Sequence, residues 1–285
     1  MVLRLIELGY PLDEVLHCDT TVEFPAMYRH IEKVKQVVEA AGIKFTTLRA
    51  EHDFEYYLLL YKPKRKNPEL LSLSGFSWPK SNLRWCTGTM KIHHINKYLR
   101  MLRGKYNLKQ YIGIAADEAY RLERENNQDK DQLHPLVEWG WSEADAMSYC
   151  REKGYDWEGL YNIFSRVSCW CCPLQPLGEL RKLRTQFPEF WATLQEWDES
   201  AWSKFKGDYT VQDLDRRFEL EEALAAEGEK IKDRKFFADL RRCLQDGVSI
   251  EEIITERRTS KENEQGGGAI EQGDSVTKPD HRGPL

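Results

Sequence analysis

No stretch of the 285 residues approaches the ~18 consecutive apolar positions of a membrane-spanning helix. The opening MVLRLIELGYPLDEV turns acidic too early for a secretory signal. Export and membrane partners are therefore not expected, and a cytoplasmic protein is. Strong charge of one sign is also lacking. The formal net charge is -5, with lysine and arginine mixed among the acids, so no global field draws the chain onto nucleic acid. The concentrated basic run KPKRK, 62–66, reads as a solvated loop before it reads as a phosphate-binding patch. There is no internal repeat, and no cysteine follows Cys243.

What is present suffices for a packed core. With 41% hydrophobic residues the chain predicts one domain of ordinary size with an appendage, or two small domains. Its seven cysteines are odd in number and clustered rather than scattered. In a reducing compartment that pattern points to metal binding or catalysis before disulfides.

Along the chain, MVLRLIELG has the spacing of an amphipathic helix stopped by Gly9 and Pro11, and DEVLHCDTT is a short strand. PAMYRHIEKVKQVVEAAG returns to helical spacing and ends at Gly42, before a second strand, IKFTTLRA. A looser region, 51–83, precedes a helix in TMKIHHINKYLRMLRG and a third strand in QYIGIAADEA. This alternation predicts an α/β fold with a parallel sheet. From about 142 onward the segments are helical, and the tail from about 257 is too poor in apolar side chains to order itself.

Parallel sheets bind ligands beyond the carboxyl ends of their strands, which singles out Asp19, Thr20 and Glu23, then Arg49, then Asp117 and Glu118. Asp19 and Thr20 there either hydrogen-bond a ribose or base edge or, in the case of Asp19, cap the helix that follows. Arg84 and Lys91 flank Cys86, with Lys91 near a helix start whose free N–H groups favour a phosphate or sulfate. Asp117 and Glu118 equally suit a helix start, which favours acids. In SRVSCWCCP, 165–173, Cys169 and Cys172 have a spacing that lets two thiolates grip one zinc or iron–sulfur centre. Redox thiols without metal, or simple packing, remain open beside that reading. Cys150 and Cys243 read as buried or surface thiols.

The segments DTTVEFP (19–25), GFSWPKSNLRWCTGTMK (75–91), GIAADEAYR (113–121), HPLVEWGWSEAD (134–145) and CWCCP (169–173) together resemble the phosphoadenosine phosphosulfate (PAPS) reductase family of the adenine-nucleotide alpha-hydrolase-like superfamily. The resemblance implies a doubly wound, Rossmann-like parallel sheet over residues 1–175, a helical C-terminal region over 176–256 and a disordered tail over 257–285. It also implies an adenine nucleotide or sulfonucleotide bound by Asp19, Thr20, Glu23, Arg84, Lys91, Gly113, Asp117, Glu118 and Arg121. The family's nucleotide pattern carries an arginine and a serine where this chain has Ala115 and Ala119, so one cationic contact is missing. Cluster-bearing members ligate a four-iron cluster through a Cys-Cys pair and a later Cys-x-x-Cys. Cys86, Cys169 and Cys172 match three of those positions, and Trp85 stands at the fourth. A four-iron cluster, or zinc in its place, is thus implied, with Cys171, Cys18 or an outside ligand completing it.

Two departures qualify the activity. The family's C-terminal nucleophilic cysteine is absent, and its phosphate loop, similar to Ser-Gly-Gly-Lys-Asp-Ser, would precede Met1. Because MVLRLIELG starts without an N-cap residue, Met1 is expected to be internal to a longer reading frame. Three functions stay open: a PAPS reductase-like enzyme working with a thiol reductant protein, an adenylating sulfurtransferase with a nucleic-acid acceptor, and a nucleotide- or cluster-binding protein without turnover.

Overall fold

In a computed structural model describing residues 1–123, 130–231 and 233–266, the first apolar run forms α1 (Val2–Glu7) and stops where Gly9 takes φ +65°. The next run forms β1 (Glu14–Asp19). Pro25 then opens α2 (Pro25–Ala40) at a position where its missing N–H has no helical partner to lose. After Gly42, at φ +77°, comes β2 (Lys44–Arg49). β1 and β2 pair in parallel from Glu14 opposite Lys44 to Asp19 opposite Arg49, with α2 as the crossover that parallel strands require.

The region from 51 to 83 is ordered rather than loose. A π-helical turn, Tyr56–Leu60, carries a returning segment in which Gly75, Phe76 and Ser77 donate to the carbonyls of Tyr61, Tyr57 and Leu58. Gly75 has φ +68°, and a Cβ there would lie 1.9 Å from the Leu58 carbonyl oxygen, so only glycine fits. Arg65 of the basic run is committed to this fold. It donates to the carbonyls of Leu70 and Leu73, at 2.6 and 2.5 Å, and to that of Gly75, with its guanidinium 5.2 Å from the Trp202 ring.

A second π-helical segment, Thr87–Ile92, runs directly into α3 (His93–Arg103). The third strand is much shorter than QYIGIAADEA suggested. Only β3 (Gln110–Tyr111) pairs, in parallel, with β4 (Gln132–Leu133), and Ala116–Glu123 winds into a 3-10 helix. Gly113, Ala115 and Ala116 offer little side chain for a pleated surface, and Asp117 and Glu118 favour a helical first turn. The described residues thus make two two-stranded parallel sheets, β1–β2 and β3–β4, in a helix-rich α/β arrangement.

Helix begins at α4 (Pro135–Glu138), a few residues earlier than expected, and from about 142 onward the chain is helical as read from the sequence: α5 (Glu143–Glu152), α6 (Leu160–Ile163), α7 (Leu177–Gln186) and α8 (Pro188–Ser200). α5 opens with a capping box in which Ser142 and Asp145 satisfy each other's backbone N–H. α7 and α8 belong to a first compact unit, Met1–Val211, because they complete its aromatic core. Phe24 meets Phe164, Phe187 and Phe190 at 5.1–5.7 Å, and Trp170 stacks on Phe190 at 4.8 Å.

The second unit, Gln212–Leu285, contains nearly all of α9 (Val211–Ala226), then α10 (Arg234–Arg241), the π-helical turn Arg242–Asp246 and α11 (Ile250–Gly266). α11 corrects the expectation of disorder from 257: residues 257–266 are helix, and the rest of that tail lies outside the described residues. Few apolar side chains are needed, since Arg257 is buried in ion pairs with Asp239 and Glu229 at 2.7 and 3.0 Å, and Ile253 is fully buried. No helix among the described residues is long and apolar enough to cross a membrane.

Candidate functional site

The carboxyl end of β1 is the best-organised polar point in the first unit. Asp19 accepts from the Thr21 N–H at 2.7 Å, an Asx turn that holds Thr21 at φ +66°, and from the Tyr28 hydroxyl at 3.0 Å. Arg49, at the end of β2, lies 3.7 Å from the same carboxylate. Asp19 does not cap α2, whose N-cap is Phe24 without a side-chain bond. Thr20 is buried and donates to Glu23 at 3.0 Å, and the Cys169 thiol donates to the same Glu23 oxygen at 3.4 Å. The strand end and the cysteine loop, 149 residues apart in sequence for Thr20 and Cys169, thus meet directly at 3.6 Å.

The loop 169–175 is tied down by its own backbone and by two polar side chains. Trp170 N–H donates to Val22 and Cys172 N–H to the Cys169 carbonyl. Gln175 donates to the carbonyls of Cys169 and Trp170, and Lys206 to those of Pro173 and Gln175 at 2.7 Å. Burial pushes the Cys169 thiol up to about 12, with the Glu23 carboxylate adding to the shift. Cys171 is buried and pushed well up by that burial, then by the thiols of Cys169, Cys172 and Cys86 around it. Cys86 and Cys172 are raised as well, first by burial. For Cys86 the neighbouring Cys172 adds to this, whereas backbone N–H groups, Arg84 and Lys206 partly offset it at Cys172.

Lys91 sits at the end of the π-helical segment, half-buried, with its charge felt by His17 and Cys18 on β1 and by Cys86 and Cys169. Asp19, Thr20, Glu23, Lys91, Cys86, Cys169 and Cys172 therefore gather at one place, with exposed Arg84 beside Cys172. The described contacts of the other expected ligand residues are local. A Cβ on Gly113 would meet the Met1 side chain at 3.8 Å, Asp117 accepts from Glu143 N–H at the start of α5, and Glu118 accepts from Arg121 at 2.7 Å. None of these described contacts reaches Asp19 or Lys91.

Trp85, at the family's fourth cysteine position, is a core residue here. It is stacked on Phe54 and Phe76 at 5.0 and 5.1 Å and donates to the Ser77 carbonyl at 2.7 Å. Among the described residues no group of three or more His, Cys, Asp or Glu side chains is placed to hold a metal ion. As arranged, with Cys169 bonded to Glu23, the thiols form a cluster and not a preformed metal shell. Tyr28, Gln175 and Lys206 were not legible as site residues. Gln175 follows the cysteines closely enough to have been a signal, whereas Lys206 reaches them only through the tertiary fold.

Comparison with known proteins places this geometry. Two curated relatives, both from Methanocaldococcus jannaschii, are similar to the chain. The uncharacterized protein MJ0066 is 25% identical over 205 residues, covering 70% of this chain and 38% of its own length. The uncharacterized protein MJ0973 is 22% identical over 182 residues, covering 62% and 39%. The chain thus spans under two fifths of the length of either. No solved structure matches it. The phosphoadenosine phosphosulfate reductase domain matches residues 1–175, the stretch that contains the β1 end, Lys91 and the whole cysteine loop, and the chain belongs to that family.

Proposed function

We propose that the protein is a PAPS reductase-like protein acting on an adenine nucleotide or sulfonucleotide in sulfur metabolism or sulfur transfer, on the doubly wound sheet that the family implies. The observation that carries this reading is the direct meeting of the β1 carboxyl end with the cysteine loop, Thr20 with Cys169 at 3.6 Å and Cys169 with Glu23 at 3.4 Å, with the half-buried Lys91 on the neighbouring π-helical segment. Parallel strands present ligands at that end, and a partly desolvated ammonium is a strong anion partner there. Lys91 and Arg84 hold the phosphate or sulfate end, while Asp19 faces the ribose or base and the buried Thr20 fixes Glu23 beside it. The thiols bear on the chemistry through their protonation. A thiol near 12 is a poor nucleophile at neutral pH, and a bound dianion would disfavour its thiolate further. On the reductase branch, an external thiol reductant supplies the electrons for reducing the sulfonucleotide.

The test is nucleotide binding followed by tryptophan fluorescence. PAPS or adenosine phosphate is expected to saturate the site, and Lys91→Met to weaken it about 10- to 100-fold, the loss of one hydrogen bond to a charged group. Unchanged affinity in Lys91→Met would remove this reading. Thiol-dependent sulfite release identifies the reductase branch, pyrophosphate release from ATP with a nucleic-acid acceptor identifies the adenylating branch, and binding alone identifies a protein without turnover.

A second reading rests on the four thiols gathered around Cys171: an iron–sulfur cluster or zinc held through Cys86, Cys169 and Cys172. It requires Cys169 to leave Glu23. Protein prepared without oxygen should then contain stoichiometric iron and sulfide, or zinc, that Cys169→Ser loses. Metal-free, folded protein would exclude it.

A further inference from the structure

Between Leu70 and Ala116 the chain has no acidic residue at all, although it contains 47 elsewhere, and this same interval has eight of the 42 lysines and arginines. An acidic protein thus has one strongly cationic segment, centred on α3. On that helix His93, Lys97, Arg100 and Met101 are exposed and fall within one face at 100° per residue, and Lys105 and Tyr106, also exposed, follow just past the helix end. The opposite side is committed to the fold. Leu99 is buried, and Tyr98 donates to Glu14 at 2.7 Å and accepts from Lys44 at 2.8 Å. No ion pair involves Lys97, Arg100 or Lys105 among the described residues, whereas Lys109 is taken up by Asp131 at 2.9 Å.

Helix stabilisation explains only part of this distribution. Arg100 and Arg103 lie in the last turn, where the macrodipole favours cations. His93 and Lys97 lie farther in, where the π-helical segment runs straight into α3 and no helix end favours a cation, and neither segment has an acid in its first turn. The local field is strong enough to register on His94, which is lowered by burial and then by His93 and Lys97. Beside these charges stand two large side chains left mostly exposed, Met101 at 54% and Tyr106 at 62%.

We infer that the exposed face of α3, with Lys97, Arg100 and Lys105 as phosphate contacts and Tyr106 as a stacking platform, binds single-stranded nucleic acid. Cations that track a backbone beside an exposed aromatic ring are what sequence-tolerant single-strand binding needs. From His93 to Arg103 the helical rise covers about 15 Å, enough for several successive phosphates. An anionic membrane is a poorer occupant, because a helix lying in a bilayer interface needs a free apolar face and that of α3 is already packed. The inference goes beyond the nucleotide reading and does not depend on it, since none of these residues lies at the β1 end.

Fluorescence anisotropy of the full chain with a labelled single-stranded oligonucleotide tests it, with the matching duplex and phosphatidylserine vesicles as comparators. Single strand should bind more tightly than duplex, and affinity should fall about 20-fold between 50 and 200 mM salt for three phosphate contacts. Lys97→Glu with Arg100→Glu should lose at least tenfold. Tyr106→Ala should lose at least fivefold, as expected for one stacked base, and Tyr106→Trp should restore it. The control pair Lys64→Glu with Lys66→Glu, in the other basic run, should bind as the parent does. Equal losses in that control, unchanged binding in the α3 variants, or capture by vesicles but not by oligonucleotide would each overturn the assignment. Nucleotide binding at Lys91 is measured on the same variants, so failure of one site is told apart from failure of the other.

Discussion

The two compact units bury opposite kinds of side chain. In Met1–Val211 the buried polar residues are Thr20, Ser77, Gln175 and a single charged one, Glu179, set among tryptophans, phenylalanines and thiols. In Gln212–Leu285 the interior contains Arg217, Glu221, Asp239 and Arg257, all under 7% exposed, packed with Phe218, Phe236 and Leu240. Arg217 reaches Glu221 at 3.0 Å and lies 5.6 Å from the Phe236 ring. Desolvating an ion pair roughly cancels its attraction, so such pairs contribute little net stability while making each partner indispensable to the other. The first unit is therefore expected to fail by losing packing, and the second by losing a partner charge. All nine tryptophans lie before residue 212, so fluorescence reports the first unit alone and circular dichroism reports both.

The largest effect is expected from Arg257→Met. It takes the buried guanidinium from Asp239 and Glu229, leaving them Arg242 at 3.6 Å and Lys261 at 2.7 Å, and should cost about 3–5 kcal/mol. In urea, a helical signal should melt early while fluorescence keeps its parental midpoint. Coincident shifts in both signals would mean that the two units do not unfold independently. Trp170→Ala, which removes the ring stacked on Phe190, makes the converse case and should cost about 3–5 kcal/mol, moving the fluorescence midpoint. A loss under 1 kcal/mol would show that the site collapses around the missing ring.

The units should also differ in alkali. Six thiols of the first unit, at Cys18, Cys86, Cys150, Cys169, Cys171 and Cys172, are raised from the ordinary value of 9.0, against Cys243 alone in the second. A raised thiol stabilises the fold below its unfolded value and loses that contribution as pH rises through the folded one. In metal-free protein the fluorescence midpoint in urea should therefore be level up to about pH 9 and fall toward pH 12. A level profile throughout would mean that the thiols titrate alike in the folded and unfolded states. Acid acts on the second unit in the opposite sense. Glu229 is lowered from 4.5, first by its hydrogen bond from Lys261, so its contribution is complete above pH 4.5 and is lost below it. The smallest effect is expected from Tyr28→Phe, which removes one hydrogen bond to Asp19 and should cost about 1 kcal/mol in fluorescence-detected urea unfolding. Its use lies in nucleotide affinity, which should fall if Tyr28 holds Asp19 in its binding position and stay level if the Thr21 N–H suffices.

Local pattern alone determined where the chain turns from helix to strand and back. The apolar spacing of MVLRLIELG and PAMYRHIEKVKQVVEAAG, and the short runs ending at Asp19 and Arg49, became α1, α2, β1 and β2 because each depends on neighbours a few residues away. Family membership was legible for the same reason, in short motifs whose order survives without three-dimensional information. What those patterns could not supply was every feature that depends on a distant partner. QYIGIAADEA reads as a strand by its apolar run, yet only Gln110 and Tyr111 find a partner strand. The tail after 257 reads as disordered by composition, but Arg257 folds it by reaching Asp239, 18 residues back. At the site, Asp19, Thr20, Glu23, Lys91 and the cysteines could be named in advance, because strand ends and thiol spacing are local signals. That Cys169 would donate to Glu23, and that Lys206 would hold the cysteine loop by its carbonyls, was decided by tertiary packing, which alone sets how far a buried thiol lies from a carboxylate.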